Sequence, residues 1–157
     1  MISFKKDMQD YSICMELYDN VENNRKTYKD YKIVVRINAV NKSERSALVL
    51  VYCDGTYIGN FSINECGGIR YKHRATIGIV FHQRYTGLGI GSFALNWIIE
   101  LAKELKYSQL ELEVFANNKR AIRLYERLGF QKYGIFPEYA HYSDGCTDDV
   151  YWMMKKL

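Results

Sequence analysis

Apolar positions along the chain follow two periods, and the changes between them set the predicted elements. From Ala47 to Asn64, "ALVLVYCDGTYIGNFSIN" holds two β-rich runs joined across Asp54 and Gly55, a dipeptide suited to the positive φ angles of tight hairpin turns. "ECGG" ends the second run, and "ATIGIVF" at 75–81 supplies a third strand, so this stretch predicts an antiparallel meander. The period then becomes helical, because "SFALNWIIELAKELK" places Ala94, Ile98, Leu101 and Leu105 along one stripe. It reverts in "SQLELEVF" at 108–115, where Leu110, Leu112 and Val114 alternate with Glu111 and Glu113 as in a strand with two unlike faces. "NNKRAIRLYERLGF" predicts a second helix, with Asn118 as its cap, Ala121, Leu124, Tyr125 and Leu128 on one face, and Gly129 at a left-handed C-terminal cap. "QKYGIF", a polar loop from Pro137 to Asp149 and a closing strand "VYWMM" complete the chain. Near the start, the spacing of Ile13, Leu17 and Val21 predicts a helix over Met8 to Asn23, while "KIVVRINAV" at 32–40 reads equally as strand or as helix-loop segment. The sum is a mixed α/β sheet with one helix after the third strand of the meander and another after the fourth.

Composition narrows the class. A chain of 157 residues, 48% hydrophobic and 25% charged, suits a single globular domain over 1–157, and one proline with no low-complexity segment leaves no obvious linker. The net charge of +4 is scattered rather than gathered into a stripe, so no nucleic-acid surface is indicated. Plain solvated surface explains it, as does a mildly basic face for a phosphate-bearing small ligand. Cys14, Cys53, Cys66 and Cys146 form no CxxC pair, and His73, His82 and His141 have no HExxH spacing, so neither a metal site nor a disulfide scaffold is expected. "MISFKKDMQDY" lacks the apolar stretch of a signal peptide, and the longest apolar run, "ALVLVY", cannot span a bilayer. A cytoplasmic protein without a membrane partner is the expectation, with a homodimer left open.

The densest glycine cluster lies in "HQRYTGLGIGSFALNW" at 82–97, between the third strand and its helix. It is neither GxxxxGK[ST] nor GxGxxG, since no lysine follows these glycines and Ser92 stands three residues after Gly89. Leading helix amides and the positive end of the helix dipole nevertheless favour an anion, which residues without Cβ atoms allow to come close. A tight turn with glycines used only for packing is the alternative.

Two ordered blocks separate these readings. Arg84, Gly87 and Gly89 fit R/QxxGxG, and with the flanking strand and helix they resemble the acetyl-CoA signature of the GNAT superfamily of N-acetyltransferases. Downstream, "LELEVFANNKRAIRLYERLGF" resembles the superfamily's second hallmark, a strand, an Asn, then "AI.LYE.LGF". The likeness covers Ala47 to Leu157 and matches poorly before that. It implies a GNAT-like, largely antiparallel central sheet with helices on both faces and splayed strands forming the acetyl-CoA cleft. By the same resemblance, amides from Gly87 through Leu88, Gly89, Ile90 and Gly91 to Ser92 hold the pyrophosphate, and Ile79, Val80 and Phe81 flank the pantetheine arm. Asn118 matches a position that contacts that arm, and Tyr125 matches the tyrosine that protonates the departing thiolate. Glu113 stands where one branch, the ribosomal-protein N-terminal acetyltransferases, has its general base. Tyr85 and Thr86 depart from the family's small or basic loop residues, which leaves the contact to the ribose 3′-phosphate unassigned.

The reaction needs a neutral amine, a stabilised oxyanion and a proton for sulfur. An alkylamine of pKa about 10.4 is protonated at neutral pH, so a carboxylate must take its proton; Glu113 is the first candidate and Glu111 the second. A backbone N–H near Val80 is the expected oxyanion donor, and a tyrosine of pKa about 10 can reprotonate a thiolate of about 8.5. Each residue also has a plain role: Tyr125 as core aromatic, Asn118 as helix cap, Glu113 as surface charge, and Tyr139, His141, Tyr142 and Asp144 as loop surface. The resulting expectation is an acetyl-CoA-dependent N-acetyltransferase, needing no metal, that acts on a small-molecule primary amine or a protein N-terminus. The alternative is a catalytically inactive acyl-CoA-binding or sensing module of the same fold.

Overall fold

A computed structural model describes residues 10–15, 18–21, 24–27, 31–38 and 45–157. Its strands are β1 (Asp10–Met15), β2 (Tyr18–Val21), β3 (Asn24–Thr27), β4 (Tyr31–Asn38), β5 (Ala47–Cys53), β6 (Thr56–Glu65), β7 (Arg74–Phe81), β8 (Gln109–Phe115), β9 (Gln131–His141) and β10 (Thr147–Lys156). Helix α1 (Ile90–Glu104) follows β7, and α2 (Lys119–Arg127) follows β8, as the periodicity predicts. The hydrogen-bonded order of the main sheet is β1-β4-β5-β6-β7-β8-β10-β9, with β2 and β3 pairing separately. Apart from the parallel β7–β8 ladder, its registered pairs are antiparallel. Among the described residues no helix is long and apolar enough to cross a membrane.

Contacts divide the chain into two units. The first holds the described residues up to Ile63 together with Gly78–Ala94, and thus carries the meander, the glycine loop and the start of α1. β5 alternates as expected, burying Val49, Val51 and Cys53; on β6 Phe61 and Ile63 keep that period, and a register shift opposite Val51 and Tyr52 brings Ile58 into the core out of step with them. The turn between them has Asp54 at φ 47° and Gly55 at φ 81°, the left-handed pair that the dipeptide predicts. The second unit holds Asn64–Ile77 with Leu95–Leu157, and buries Ile98, Leu101 and Ala102 of α1, Leu110, Leu112 and Val114 of β8, and Met153 of β10.

Two expectations are corrected. Residues 10–15 and 18–21 are strands, not a helix over Met8 to Asn23, and β1 lies antiparallel to β4 from Asp10↔Arg36 to Met15↔Tyr31. Tyr11, Ile13 and Met15 also alternate with period two, so the four-residue spacing of Ile13, Leu17 and Val21 was ambiguous, and cross-strand pairing decides it; the helix's remaining positions lie outside the described residues. The ambiguous "KIVVRINAV" resolves as β4 through Asn38. The polar loop from Pro137 to Asp149 shrinks to residues 142–146, because β9 runs on through Pro137 to His141 and β10 begins at Thr147. Pro137 is tolerated because β9 is the sheet edge, where a missing N–H breaks no interior ladder. A register shift there, with Glu138 at φ 49° and its N–H donating to Asp149 Oδ1 at 2.8 Å, keeps the pair together.

Gly59 sets how closely β6 approaches the end of β7. A Cβ placed on it would lie 2.3 Å from the Val80 carbonyl oxygen and 2.8 Å from Phe81 Cα, both backbone atoms. Gly59→Ala is therefore expected to destabilise the chain by about 2–3 kcal/mol. Gly67→Ala, whose Cβ would meet nothing within 4 Å, should be near neutral, and urea unfolding of the two variants checks the contrast.

Candidate active site

The glycine loop of the first unit is built by a turn and a helix start. After Phe81, the His82 N–H donates to the Ile58 carbonyl at 2.9 Å, Tyr85 N–H to His82 O at 2.9 Å and Thr86 N–H to Gln83 O at 3.1 Å. The Thr86 hydroxyl also donates to Gln83 O at 2.8 Å, so the residue that departs from the family's loop pattern fastens the turn. Arg84 is exposed on this turn, and Val80 is exposed at the end of β7. Gly87 and Gly89 then take φ 92° and 83°, a region that side chains disfavour. Phe93 N–H donates to Gly89 O at 3.0 Å and closes the first turn of α1. A Cβ on Gly89 would meet no atom within 4 Å. Packing therefore does not require glycine there; the backbone conformation does, and the space that a Cβ would fill lies open beside the positive end of a helix. These residues fit a pyrophosphate.

In the second unit, α2 positions two of the predicted residues. Asn118 Oδ1 accepts from Ala121 N–H at 3.1 Å, so it caps the helix as its position implies. At the other end, Gly129 with φ 88° turns the chain back, its N–H donating to Glu126 O at 2.9 Å and the Phe130 N–H to Tyr125 O at 3.0 Å. This is the paired bonding of a Schellman cap, whose usual apolar contact falls between Phe130 and Tyr125, rings edge-to-face with centroids 5.9 Å apart. The "LGF" that ends the helix thus fixes the Tyr125 ring. Tyr125 is 9% exposed, and burial pushes its hydroxyl above the ordinary tyrosine value, which keeps the proton on oxygen at neutral pH.

The two carboxylates of β8 have different surroundings. Glu111 is 7% exposed and is gripped by Arg74, Nε to Oε1 at 2.5 Å and Nη2 to Oε2 at 2.7 Å, while Gln109 Nε2 donates at 2.7 Å. Hydrogen bonding from Arg74, against the upward push of burial and with help from Gln109, holds its carboxyl below the usual range. Glu111, the second candidate base, is thereby a weakened base committed to an ion pair. Glu113 is exposed and, among the described residues, accepts from a neutral donor, Trp152 Nε1 at 3.2 Å. Arg74 and Trp152 were not singled out from sequence. Trp152 lies opposite Glu113 only through the β8–β10 register, and no local pattern around either residue announces it.

A pH dependence follows. A carboxyl lowered by folding contributes stability that is complete above its unfolded pKa of about 4.3 and is lost as pH falls through the lower folded value. Glu111→Gln is expected to cost about 1–2 kcal/mol at pH 7, with the difference from wild type closing toward pH 2; urea unfolding across that range checks it.

A left-handed glycine turn into a helix, then a strand, a capped helix and a buried tyrosine, is the order of elements of an acetyltransferase fold. The sequence matches the Acetyltransferase (GNAT) family over residues 9–130, and the chain belongs to that family. It is 32% identical over 108 residues to the L-amino acid N-acetyltransferase AaaT of Escherichia coli, covering 68% of this chain and 66% of that protein. A GNAT-family acetyltransferase from Streptococcus pneumoniae superposes with a TM-score of 0.69 at 30% identity, over 74% of this chain and 70% of that one. The fold is also that of an acetyltransferase from Salmonella typhimurium solved with its cofactor acetyl-CoA, with a TM-score of 0.65 at 19% identity, covering 71% of this chain and 65% of that one. Among the described residues no group of three or more His, Cys, Asp or Glu side chains could hold a metal ion.

Proposed function

We propose that residues 1–157 act as one acetyltransferase domain that moves an acetyl group from acetyl-CoA directly to a primary amine of a small molecule or a protein N-terminus. The observation that carries this reading is the open, glycine-built start of α1, where the Gly89 Cβ position is empty of protein atoms within 4 Å. Family membership and the amine chemistry in the name of the Escherichia coli relative support it.

Acetyl-CoA supplies an activated thioester when bound. The backbone amides from Gly87 to Ser92, with Leu88 and Ile90 between the glycines, hold the pyrophosphate, and Arg84 adds positive charge beside them. Ile79, Val80 and Phe81 flank the pantetheine arm, and the Val80 region offers a backbone N–H to the acyl oxygen. Asn118 keeps its capping oxygen in the helix and turns its amide donors to the arm. Glu113 Oε2, which the indole of Trp152 leaves unengaged, takes the proton of the incoming ammonium. Tyr125 Oη returns a proton to the leaving sulfur, a task suited to a phenol kept neutral by burial. A thermal-shift comparison of acetyl-CoA, ATP and NAD tests the cradle: stabilisation by acetyl-CoA is expected, and stabilisation by ATP alone would contradict it.

A further inference from the structure

One face of the second unit carries a row of exposed rings around a carboxylate. Opposed residues in the antiparallel β8–β10–β9 ladders share a face, and the register sets Glu113, Trp152 and Gly134 side by side, with Phe115, Val150 and Phe136 one step along. Gly134 makes room for the indole: a Cβ there would lie 3.1 Å from Trp152 Cε3. Between the pairs Trp152↔Gly134 and Met153↔Lys132, Tyr133 has no residue opposite it on β10, and this bulge stacks its ring on Trp152 at a centroid distance of 6.2 Å. Phe136 meets Trp152 at 6.2 Å and Tyr139 at 5.3 Å, and Tyr139 meets Phe115 at 6.1 Å. Phe115, Tyr133, Phe136 and Tyr139 are all exposed despite these contacts.

Beside the rings the charges are unbalanced. Arg74 is consumed by both oxygens of Glu111. Lys132 sits 4.0 Å over the ring of Tyr151, which pairs with Val114 and so belongs to the opposite face. Among the described residues no cation pairs with Glu113. Electron-rich ring faces around a carboxylate without a counter-charge complement an organic cation, and methylene groups can lie along the rings. Beside the rings, among the described residues, a ligand carboxylate would meet Glu113, while the cations of this face stand away from it: Arg74 is bonded in two places, and Lys156 lies opposite Gln109, two same-face pairs beyond Trp152.

We infer that the acceptor is an alkylammonium without a carboxylate beside its amine, of the diamine or polyamine kind, received on this face at Glu113 between Trp152 and Tyr133. The inference rests on the acetyl-transfer reading and narrows it away from free amino acids.

The test compares 1,4-diaminobutane with ornithine, the same diamine bearing a carboxylate, by calorimetric titration of the full chain without acetyl-CoA. Diaminobutane is expected to bind at least about tenfold more tightly than ornithine. Glu113→Gln and Trp152→Leu should each weaken it at least about fivefold. Tyr133→Leu, at an exposed position, provides the same reading should Trp152→Leu not fold. Equal or tighter ornithine binding, or diamine binding indifferent to Glu113→Gln and Tyr133→Leu, would overturn the proposal. So would an absence of diamine binding together with a dimer that Tyr133→Glu dissociates, which assigns the face to a second copy of the chain. Selective diamine binding with no acetylation of any amine would support the cation site and overturn the transfer reading instead.

Discussion

Tyr125→Phe is expected to lower kcat about 100-fold or more while leaving the Kd for acetyl-CoA and the unfolding midpoint nearly unchanged. The substitution removes one oxygen and keeps the ring whose edge-to-face contact with Phe130 completes the cap of α2. Its backbone carbonyl still accepts from Phe130 N–H, so the helix end has no reason to rearrange. What disappears is a proton donor held neutral by burial. Steady-state thiol release beside a thermal melt separates the two roles of the residue. Unchanged turnover would reduce Tyr125 to a core aromatic, and a large fall in melting temperature would show that the hydroxyl had a structural role.

Gly89→Val is expected to raise the Kd for acetyl-CoA at least about tenfold, because the new side chain enters the space assigned to the pyrophosphate and forces the φ of 83° on a β-branched residue. Backbone strain alone should cost about 1–2 kcal/mol of stability. Gly55→Val is the matched control: its φ is 81°, and its Cβ would also meet nothing within 4 Å, but it sits in the β5–β6 hairpin. Both variants should lose similar stability, and only Gly89→Val should lose affinity when each is titrated with acetyl-CoA. Equal affinities in the two variants would remove the loop from the cofactor site.

Sequence legibility tracked how local the determining interactions are. The 54–55 turn, the stripe of α1 and both caps of α2 are written in neighbouring residues, and the structure has them where the pattern places them. Strand β1 is hidden locally because Ile13, Leu17 and Val21 satisfy a helical spacing, while the pairing with β4 that overrides it lies some twenty residues away. The stretch from Pro137 to Asp149 reads as a loop because it is polar, and the pairing with β10 that makes most of it strand is not visible locally; the edge position of β9 is what lets Pro137 stay within it. The same distinction divides the site. Glycines beside a helix start and a tyrosine before "LGF" are local features, whereas the commitment of Glu111 to Arg74 and the pairing of Glu113 with Trp152 depend on which strands become neighbours. Glu111 and Glu113 are alike in sequence, and their partners separate a buried ion pair from an exposed candidate base.

The most direct test of the proposed acetyl transfer is amine-dependent release of free thiol from acetyl-CoA by the purified chain. Release is expected to rise with 1,4-diaminobutane, to match acetylated diamine mole for mole, and to fall about 100-fold in Tyr125→Phe. Tight acetyl-CoA binding with no thiol released above background for diamines, monoamines and peptide N-termini would contradict it and leave a binding module in its place.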